Sequence, residues 1–161
     1  MVNHPIKPFY DNDSRILILG SFPSVRSRET GFFYGHPRNR FWPLLARLFG
    51  EETPQSLEDK KRLLKYHHIA LWDVIASCDI SGSSDASIRN VVPNDLSVIL
   101  ENTPIRRIYV NGSTAARLYK RYLSPLYEKD WERLPSTSPA NAAWTMEKLA
   151  GSWGRILEDI F

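Results

Sequence analysis

The sequence predicts a three-layer α/β/α fold with a four-stranded parallel sheet at its centre. The segment at 15–20 is almost wholly apolar, as is typical of a strand buried on both faces of a parallel sheet. The segment at 69–73 is predicted to be another buried strand, and the segment at 106–110 a third strand. Segments with helical spacing of apolar residues alternate with them, which favours helices on both faces of that sheet. A chain of 161 residues can bury a core of its own, so we expect one domain over residues 1–161.

The first half of the chain supplies one strand, a long loop and two helices. The strand at 15–20 ends in glycine and leads into a loop over 21–38 that is rich in serine, arginine and glycine. Apolar residues at helical spacing predict a helix over 40–49, which Gly50 ends. A capping serine followed by acidic residues predicts a second helix over 56–66.

The second half continues the alternation of strands and helices. The elements predicted there are a strand at 69–73, a polar loop at 81–93, a helix at 94–101, a strand at 106–110, a helix at 112–123, a weaker strand at 131–134 and a carboxyl-terminal helix at 142–160.

Four loops leave the carboxyl ends of the predicted strands, where parallel sheets place their ligands. These loops are 21–38, 73–89, 111–113 and 135–141. We therefore expect the chemistry of the protein to come from them.

Composition excludes several classes of site and protein. The single cysteine, Cys78, excludes an internal disulfide, a cysteine-based zinc site and a cysteine-ligated iron–sulfur cluster. No apolar run is long enough for a membrane span, and the first residues lack the apolar segment of a secretory signal, so we expect a cytoplasmic protein. A net charge of +3 and many aromatic residues are compatible with nucleic-acid binding.

Three strings, in two regions of the chain, are the most informative part of the sequence. Residues 20–24 read Gly-Ser-Phe-Pro-Ser and residues 30–42 read Thr-Gly-Phe-Phe-Tyr-Gly-His-Pro-Arg-Asn-Arg-Phe-Trp, while residues 134–141 read Leu-Pro-Ser-Thr-Ser-Pro-Ala-Asn. By composition alone, the first loop is equally a solvated basic loop with its aromatics folded into the core. As ordered strings, they resemble the two motif regions of the uracil-DNA glycosylase superfamily, and the resemblance spans about residues 15–153.

Two departures from the superfamily pattern indicate the branch. Phe22 stands where the superfamily places a water-activating Asp or Asn, and Leu134 stands where classical uracil enzymes have a histidine. The combination resembles the hypoxanthine-DNA glycosylase branch, which removes the deamination product of adenine. The single cysteine agrees, because the cluster-bearing branches need four.

The resemblance implies a monofunctional glycosylase that flips a deaminated base out of DNA and hydrolyses its glycosidic bond in base excision repair. We expect it to act as a monomer, without a metal or another cofactor. Lysine is absent from the motif loops, which argues against Schiff-base chemistry and strand cleavage. Two alternatives stay open: a broader mismatch-type glycosylase of uracil and other deaminated bases, and a non-catalytic binder of damaged or single-stranded DNA, since Phe22 replaces the usual polar catalyst.

Two residues are the catalytic candidates. Asn39 lies in the motif string, where its carboxamide oxygen can hold and orient a water, or else cap the following helix. Asp73 ends the second predicted strand, at the position where classical uracil enzymes read the base edge. Its carboxylate can accept the N1–H of hypoxanthine, help to activate water, or cap the next turn.

The resemblance also implies residues that contact the base and the DNA. Tyr34 aligns with the aromatic residue that stacks on the flipped base, and Phe22, Asp73 and Asn111 complete the predicted base-binding set. The backbone N–H groups at Asn111–Gly112 can face the base or a phosphate, or serve only to start a helix. The predicted DNA contacts are Ser24, Arg26, Arg38, Arg89, Ser136, Ser138, Pro139, Ala140 and Asn141, with Arg40 as a further phosphate candidate.

Overall fold

The computed structural model describes residues 1–161 and contains seven strands and seven α-helices. The strands are β1 (Val2–Asn3), β2 (Ile16–Gly20), β3 (Ile69–Asp73), β4 (Ile75–Asp79), β5 (Arg89–Pro93), β6 (Arg107–Asn111) and β7 (Trp131–Leu134). The helices are α1 (Val25–Thr30), α2 (Phe41–Phe49), α3 (Leu57–Tyr66), α4 (Ser97–Leu100), α5 (Ser113–Tyr122), α6 (Met146–Trp153) and α7 (Ile156–Ile160), and two short 3₁₀ turns lie at Asp85–Ser87 and Ser124–Leu126. No helix combines the length and the apolar character that a bilayer crossing requires.

The central sheet has the four parallel strands that the sequence predicts, in the order β3-β2-β6-β7. Side chains alternate across it, so Ile16 and Ile18 of β2 face one apolar cluster, whereas Leu17 and Leu19 face another. Helices α2, α3, α6 and α7 cover the first face, and α4 and α5 cover the second. The predicted three-layer α/β/α class is therefore confirmed.

The helix ends follow from local capping chemistry. The Ser56 hydroxyl accepts the N–H of Asp59 and starts α3, and the Thr145 hydroxyl accepts the N–H of Lys148 and starts α6. Gly50 adopts a left-handed conformation, with φ of 66°, and ends α2.

Two helix predictions and one loop prediction were wrong in extent. The predicted carboxyl-terminal helix at 142–160 is two helices, because Thr145 caps α6 and a turn at 154–155 separates α6 from α7. The predicted helix at 94–101 contains only the single turn of α4. The loop at 21–38 holds the short helix α1, which Ser24 caps through the N–H of Ser27.

A second, antiparallel sheet was not predicted. It has the order β1-β4-β5, and β5 lies in the segment at 81–93 that the sequence analysis assigned to a polar loop. The strand β5 is largely exposed, so it lacks the apolar run that marks a buried strand. This small sheet matters for function, because β1 and a bond from the His4 N–H to the Ala76 carbonyl (2.8 Å) hold His4 beside the end of β3.

Candidate active site

The carboxyl ends of three neighbouring strands open into a cavity of about 310 Å³. Gly20, Asp73 and Asn111 are the last residues of β2, β3 and β6, and all three line it. The walls come from loops 21–39, 83–85 and 136–140. The strand β2 has β3 on one side and β6 on the other, so the strand order changes direction at β2. Open α/β sheets bind ligands at such a point, and the cavity lies there.

A buried hydrogen-bonding partner fixes the carboxylate of Asp73. His4 Nε2 lies 2.7 Å from Asp73 Oδ2, and only 3% and 5% of the two side chains are exposed. The Ile6 N–H donates to His4 Nδ1 over 3.2 Å. Oδ2 is therefore occupied by His4, while Oδ1 remains for the cavity that Asp73 lines.

Gly20 allows this carboxylate to lie against the backbone of β2. A Cβ at Gly20 would stand 2.5 Å from Asp73 Oδ1 and 3.3 Å from the Tyr34 hydroxyl oxygen. The first of these distances is far below any van der Waals contact, so the position needs a residue without a side chain. The same geometry shows that Asp73 Oδ1 and the Tyr34 hydroxyl group converge on one point of the cavity floor.

Tyr34 forms an aromatic wall of the cavity. Its ring stacks on that of Phe41 with centroids 4.0 Å apart, and its backbone adopts a positive φ of 54°, which is costly for a residue with a side chain. The Tyr34 hydroxyl is buried and has no hydrogen-bond partner in the protein. Burial, followed by the charge of Asp73, raises the pKa of this hydroxyl, so it stays neutral and keeps a proton to donate.

Phe22 lines the cavity beside Tyr34 and is nearly buried. The rings of His4 and Phe22 are nearly perpendicular, with centroids 5.8 Å apart, and the Arg28 guanidinium carbon lies 5.6 Å from the Phe22 centroid. Arg28 also donates to the Gly82 carbonyl over 2.6 Å, which joins the first loop to the one beyond β4. Phe22 thus gives the cavity wall an apolar surface, and the contacts with His4 and Arg28 hold its ring in place.

Asn39 lines the cavity at the start of α2. Its Oδ1 accepts the Phe41 N–H over 2.9 Å, so the side chain braces the first turn of the helix. An amide oxygen has two lone pairs, and the Asn39 Nδ2 donor forms no hydrogen bond within the protein. The residue therefore retains a free donor and a free acceptor site next to the cavity.

Two side chains hold the 135–144 loop in place. Asn111 Nδ2 donates to Thr137 Oγ1 over 3.0 Å, and Asn111 Oδ1 accepts the Thr137 N–H over 3.1 Å. The Arg40 guanidinium donates to the carbonyls of Ser138, Asn141 and Trp144. Arg40, a further phosphate candidate from the sequence, thus uses both of its terminal nitrogens on backbone carbonyls of this loop.

The polar residues of the same loop are also used within it. Ser136 Oγ accepts the Ser138 N–H, Ser138 Oγ accepts the Ala140 N–H, and Asn141 Nδ2 donates to the Ser136 carbonyl. The tip, Pro139 and Ala140, is exposed at the cavity mouth. Hydrogen bonds within the loop thus hold its shape, and its apolar tip faces outward.

The remaining predicted DNA contacts occupy different places. Arg26 and Arg38 are exposed and form no ion pair, and Ser24 lies on the cavity wall while it caps α1. Arg89 lies on β5, outside the cavity lining, and donates to the carbonyls of Ala86 and Ile88.

Sequence reasoning missed three residues of the site. His4 is far from the motif strings, Thr137 is fully buried between two named serines, and Asp85 accepts the Ser21 hydroxyl over 3.2 Å at the cavity rim. A signal existed only for Thr137, which lies inside a motif string. His4 and Asp85 are brought in by the unpredicted sheet and the turn between its strands.

Known proteins resemble this chain over most of its length. The family model of the uracil DNA glycosylase superfamily matches residues 7–159. Hypoxanthine DNA glycosylase of Methanosarcina acetivorans is 34% identical over 150 residues, which cover 92% of this chain and 94% of that protein. The protein of the same name from Methanosarcina barkeri is 37% identical over 108 residues, 65% of this chain and 68% of its own length.

A solved structure extends the agreement to three dimensions. The solution NMR structure of a Methanosarcina acetivorans protein, provisionally described as a uracil DNA glycosylase, gives a TM-score of 0.80 at 32% identity, with 98% of this chain and 99% of that chain covered.

The fold and the cavity define an α/β protein with an open cavity at the carboxyl ends of its parallel strands. The chain belongs to the uracil DNA glycosylase superfamily, as the motif strings predicted. It is accordingly a DNA glycosylase, an enzyme that hydrolyses the N-glycosyl bond between a base and its deoxyribose.

Proposed function

We propose that this glycosylase excises hypoxanthine, the product of adenine deamination, from DNA. The observation that carries the proposal is the buried Asp73 carboxylate, which His4 holds by one oxygen and which presents the other to a cavity beside the Tyr34 ring. The names of the two Methanosarcina relatives support the same substrate.

A fixed carboxylate distinguishes hypoxanthine from adenine by simple hydrogen-bond chemistry. Hypoxanthine carries a hydrogen on N1, which a carboxylate oxygen accepts, whereas adenine has a lone pair there. With adenine, the carboxylate oxygen that faces the cavity would have no hydrogen-bond donor and would face the N1 lone pair. Sites built on a buried hydrogen bond reject a ligand that cannot form it. Asp73 lies where this choice can be made, because its side chain is almost fully buried at the cavity floor.

The other cavity residues fit the steps of base removal. Phe41 covers one face of the Tyr34 ring, so the opposite face is the one that can stack on a flipped purine, with Phe22 as an apolar neighbour. Asn39 holds a water through the amide sites that the helix cap leaves free. The water oxygen bonds to C1′ of the sugar, and the C1′–N9 bond breaks with its electron pair leaving on the base. The water loses one proton to solvent and the base anion takes one up from solvent, so neutral hypoxanthine and an abasic sugar are released.

The surface around the cavity fits a DNA backbone. Arg26 and Arg38 are exposed and unpaired, and a net charge of +3 suits a few phosphate contacts around one flipped nucleotide. The exposed tip formed by Pro139 and Ala140 is suited to enter the gap that the flipped base leaves. Ser24, Arg89, Ser136, Ser138 and Asn141 remain proposed DNA contacts, and Asn111 remains a proposed base contact at the cavity wall.

The proposed product is an unbroken strand with one abasic site, released by a monomeric enzyme as the first step of base excision repair. No lysine lines the cavity, so no Schiff base with the sugar can form from its walls.

The test uses labelled duplexes that contain inosine, uracil, xanthine or only normal bases. The duplexes are incubated with the protein, treated with alkali or left untreated, and separated by gel. We expect strand cleavage of the inosine duplex only after alkali. Strong cleavage of the uracil duplex with none of the inosine duplex would contradict the proposal and favour a mismatch-type uracil enzyme.

An Asn39→Ala variant separates an enzyme from a binder. We expect it to bind the inosine duplex with nearly wild-type affinity while losing about 100-fold or more in single-turnover rate, because a positioned water is lost. A wild-type protein that binds the damaged duplex without ever releasing a base would instead indicate a non-catalytic binder. A wild-type rate in Asn39→Ala would refute the proposed role of this residue.

A further inference from the structure

We infer that His4 is a positioning residue, which fixes the Asp73 carboxylate in the orientation that base recognition requires. The inference rests on the proposed function, since it concerns how Asp73 meets the base. No motif string contains His4, and the two residues are 69 positions apart in the chain.

The hydrogen bonds around the His4 ring define where its proton lies. Because Nδ1 accepts the Ile6 N–H, a neutral imidazole must carry its hydrogen on Nε2. Nε2 then donates to Asp73 Oδ2 over 2.7 Å. The acceptor at Nδ1 and the donor at Nε2 together set both the tautomer and the direction of the bond.

Packing prevents the ring from turning away. The His4 ring lies 5.8 Å from Phe22 and 6.4 Å from Trp72, both edge to face, and 6.3 Å from Phe33. Its backbone N–H is bonded to Ala76, just beyond the β1 pairing with β4. The ring is thus locked by three aromatic neighbours and by its own main chain.

The bond from His4 fixes one of the two carboxylate oxygens of Asp73 and so sets the orientation of the group. With Oδ2 held by His4, Oδ1 lies against Gly20 at the cavity floor and is the acceptor left for a ligand. Without His4, a buried carboxylate loses its only side-chain partner and is free to rotate about its last torsion. Base recognition should then weaken even though every residue that touches the base is still present.

The first test compares His4 variants in single-turnover excision from an inosine duplex. We expect His4→Phe, which keeps the ring but lacks the donor, to lower the rate about 10- to 100-fold. His4→Gln places an amide N–H near the Nε2 position and should recover the rate to within about fivefold. His4→Asn, whose donor is too short to reach Oδ2, should behave like His4→Phe and replaces it if that variant does not fold.

His67→Phe is the matched control. His67 also contacts a carboxylate, that of Glu51, and stacks on Phe49 with centroids 3.6 Å apart. It lies just before the amino end of β3, whereas Asp73 is at the carboxyl end of the same strand. We expect the wild-type rate from this variant. Equal losses in His4→Phe and His67→Phe would mean that the effect is general destabilisation and would overturn the inference.

A double-mutant cycle with Asp73→Ala separates positioning from a structural role. If His4 acts through Asp73, the variant carrying both His4→Phe and Asp73→Ala loses no more activity than Asp73→Ala alone. Losses that multiply, or a folded His4→Phe variant with the wild-type rate, would overturn the inference.

The same cycle distinguishes failure of the inference from failure of the proposed function. A wild-type protein that releases uracil but not hypoxanthine contradicts the proposed substrate only. The cycle is then run on the uracil duplex, because uracil also presents an N–H beside a carbonyl to a carboxylate acceptor, and its coupling decides the role of His4 in the same way.

Discussion

At the scale of single residues, the geometry of Asp73 depends on the missing side chain of Gly20. We expect Gly20→Ala to push the carboxylate from its place, since the new Cβ would stand 2.5 Å from Oδ1, and to lower hypoxanthine excision about 10-fold or more. The measurement is the single-turnover rate on an inosine duplex, together with a thermal unfolding curve.

Gly151→Ala is the control for this substitution. Gly151 lies in α6, and a Cβ there meets nothing within 4 Å. The variant should keep the wild-type rate and gain up to about 1 kcal/mol in the free energy of unfolding, because alanine favours helix more than glycine does. A Gly20→Ala variant as active as Gly151→Ala would show that the close approach of Asp73 to β2 is not required.

Sequence analysis predicted much of the site at this scale. Phe22, Tyr34, Asn39 and Asp73 all line one cavity, as expected for residues in loops at the carboxyl ends of strands. Their individual roles stay predictions. His4 escaped prediction because a hydrogen bond between residues far apart in the chain leaves no periodic pattern or motif in the sequence.

At the scale of elements, the loop at 135–144 owes its shape to a partner on another element. Arg40, directly before α2, donates to three of its carbonyls. We expect Arg40→Met to loosen the loop, to speed amide hydrogen exchange there, and to reduce kcat/KM on inosine DNA about 10-fold, since buried charge-assisted hydrogen bonds are lost.

Arg47→Met, on the same stretch of chain, is its control. Arg47 pairs with Glu147, whose side chain is 80% exposed, and such surface pairs contribute little. Hydrogen exchange in the loop and kcat/KM should stay at wild-type values in this variant. Unchanged exchange in Arg40→Met would contradict the role given to Arg40.

The elements themselves were predictable to different degrees. The strands β2, β3, β6 and β7 were predicted to within one residue. Apolar runs buried on both faces mark β2, β3 and the centre of β6, whereas β7 is only partly buried and gives a weaker signal. The strand β5 was missed because it is largely exposed. The strand β4 is buried or half-buried, and it was missed because its serine and aspartate residues interrupt the apolar pattern. Pairing across the small sheet, which is a tertiary effect, determines their structure.

At the scale of the whole molecule, buried tyrosines should make stability fall at high pH. Burial, and then the neighbouring Tyr127, raises the pKa of Tyr119 to about 12, and its buried hydroxyl has no hydrogen-bond partner. The unfolded chain loses this proton near pH 10, so the stabilising contribution is complete below about pH 10 and is lost as the pH rises toward about 12.

Tyr119→Phe should therefore flatten the alkaline limb of stability. We expect its free energy of unfolding to equal or exceed the wild-type value near pH 7 and to fall less between about pH 9 and about pH 11, measured by urea unfolding. Tyr66→Phe, at a side chain that is 75% exposed, should match the wild type throughout. An identical alkaline loss in Tyr119→Phe and the wild type would contradict this account of Tyr119.

Part of the small positive charge of the protein lies on the loop beside the cavity. The net charge of +3 is modest, but Arg26 and Arg38 are exposed on the long loop that walls the cavity. Their placement was readable from the sequence, whereas the engagement of Arg40 and Arg89 with backbone carbonyls was not, because it depends on how loops fold back on themselves.

The most direct test of the proposed hypoxanthine excision compares the wild type with Asp73→Asn, which keeps the shape of the side chain but replaces the carboxylate by an amide. The measurement is free hypoxanthine, uracil and adenine released from matched duplexes under single-turnover conditions. We predict that the wild type releases hypoxanthine and leaves adenine, and that Asp73→Asn releases hypoxanthine about 10-fold more slowly or worse. Equal hypoxanthine release by both proteins, or faster release of uracil than of hypoxanthine by the wild type, would contradict it.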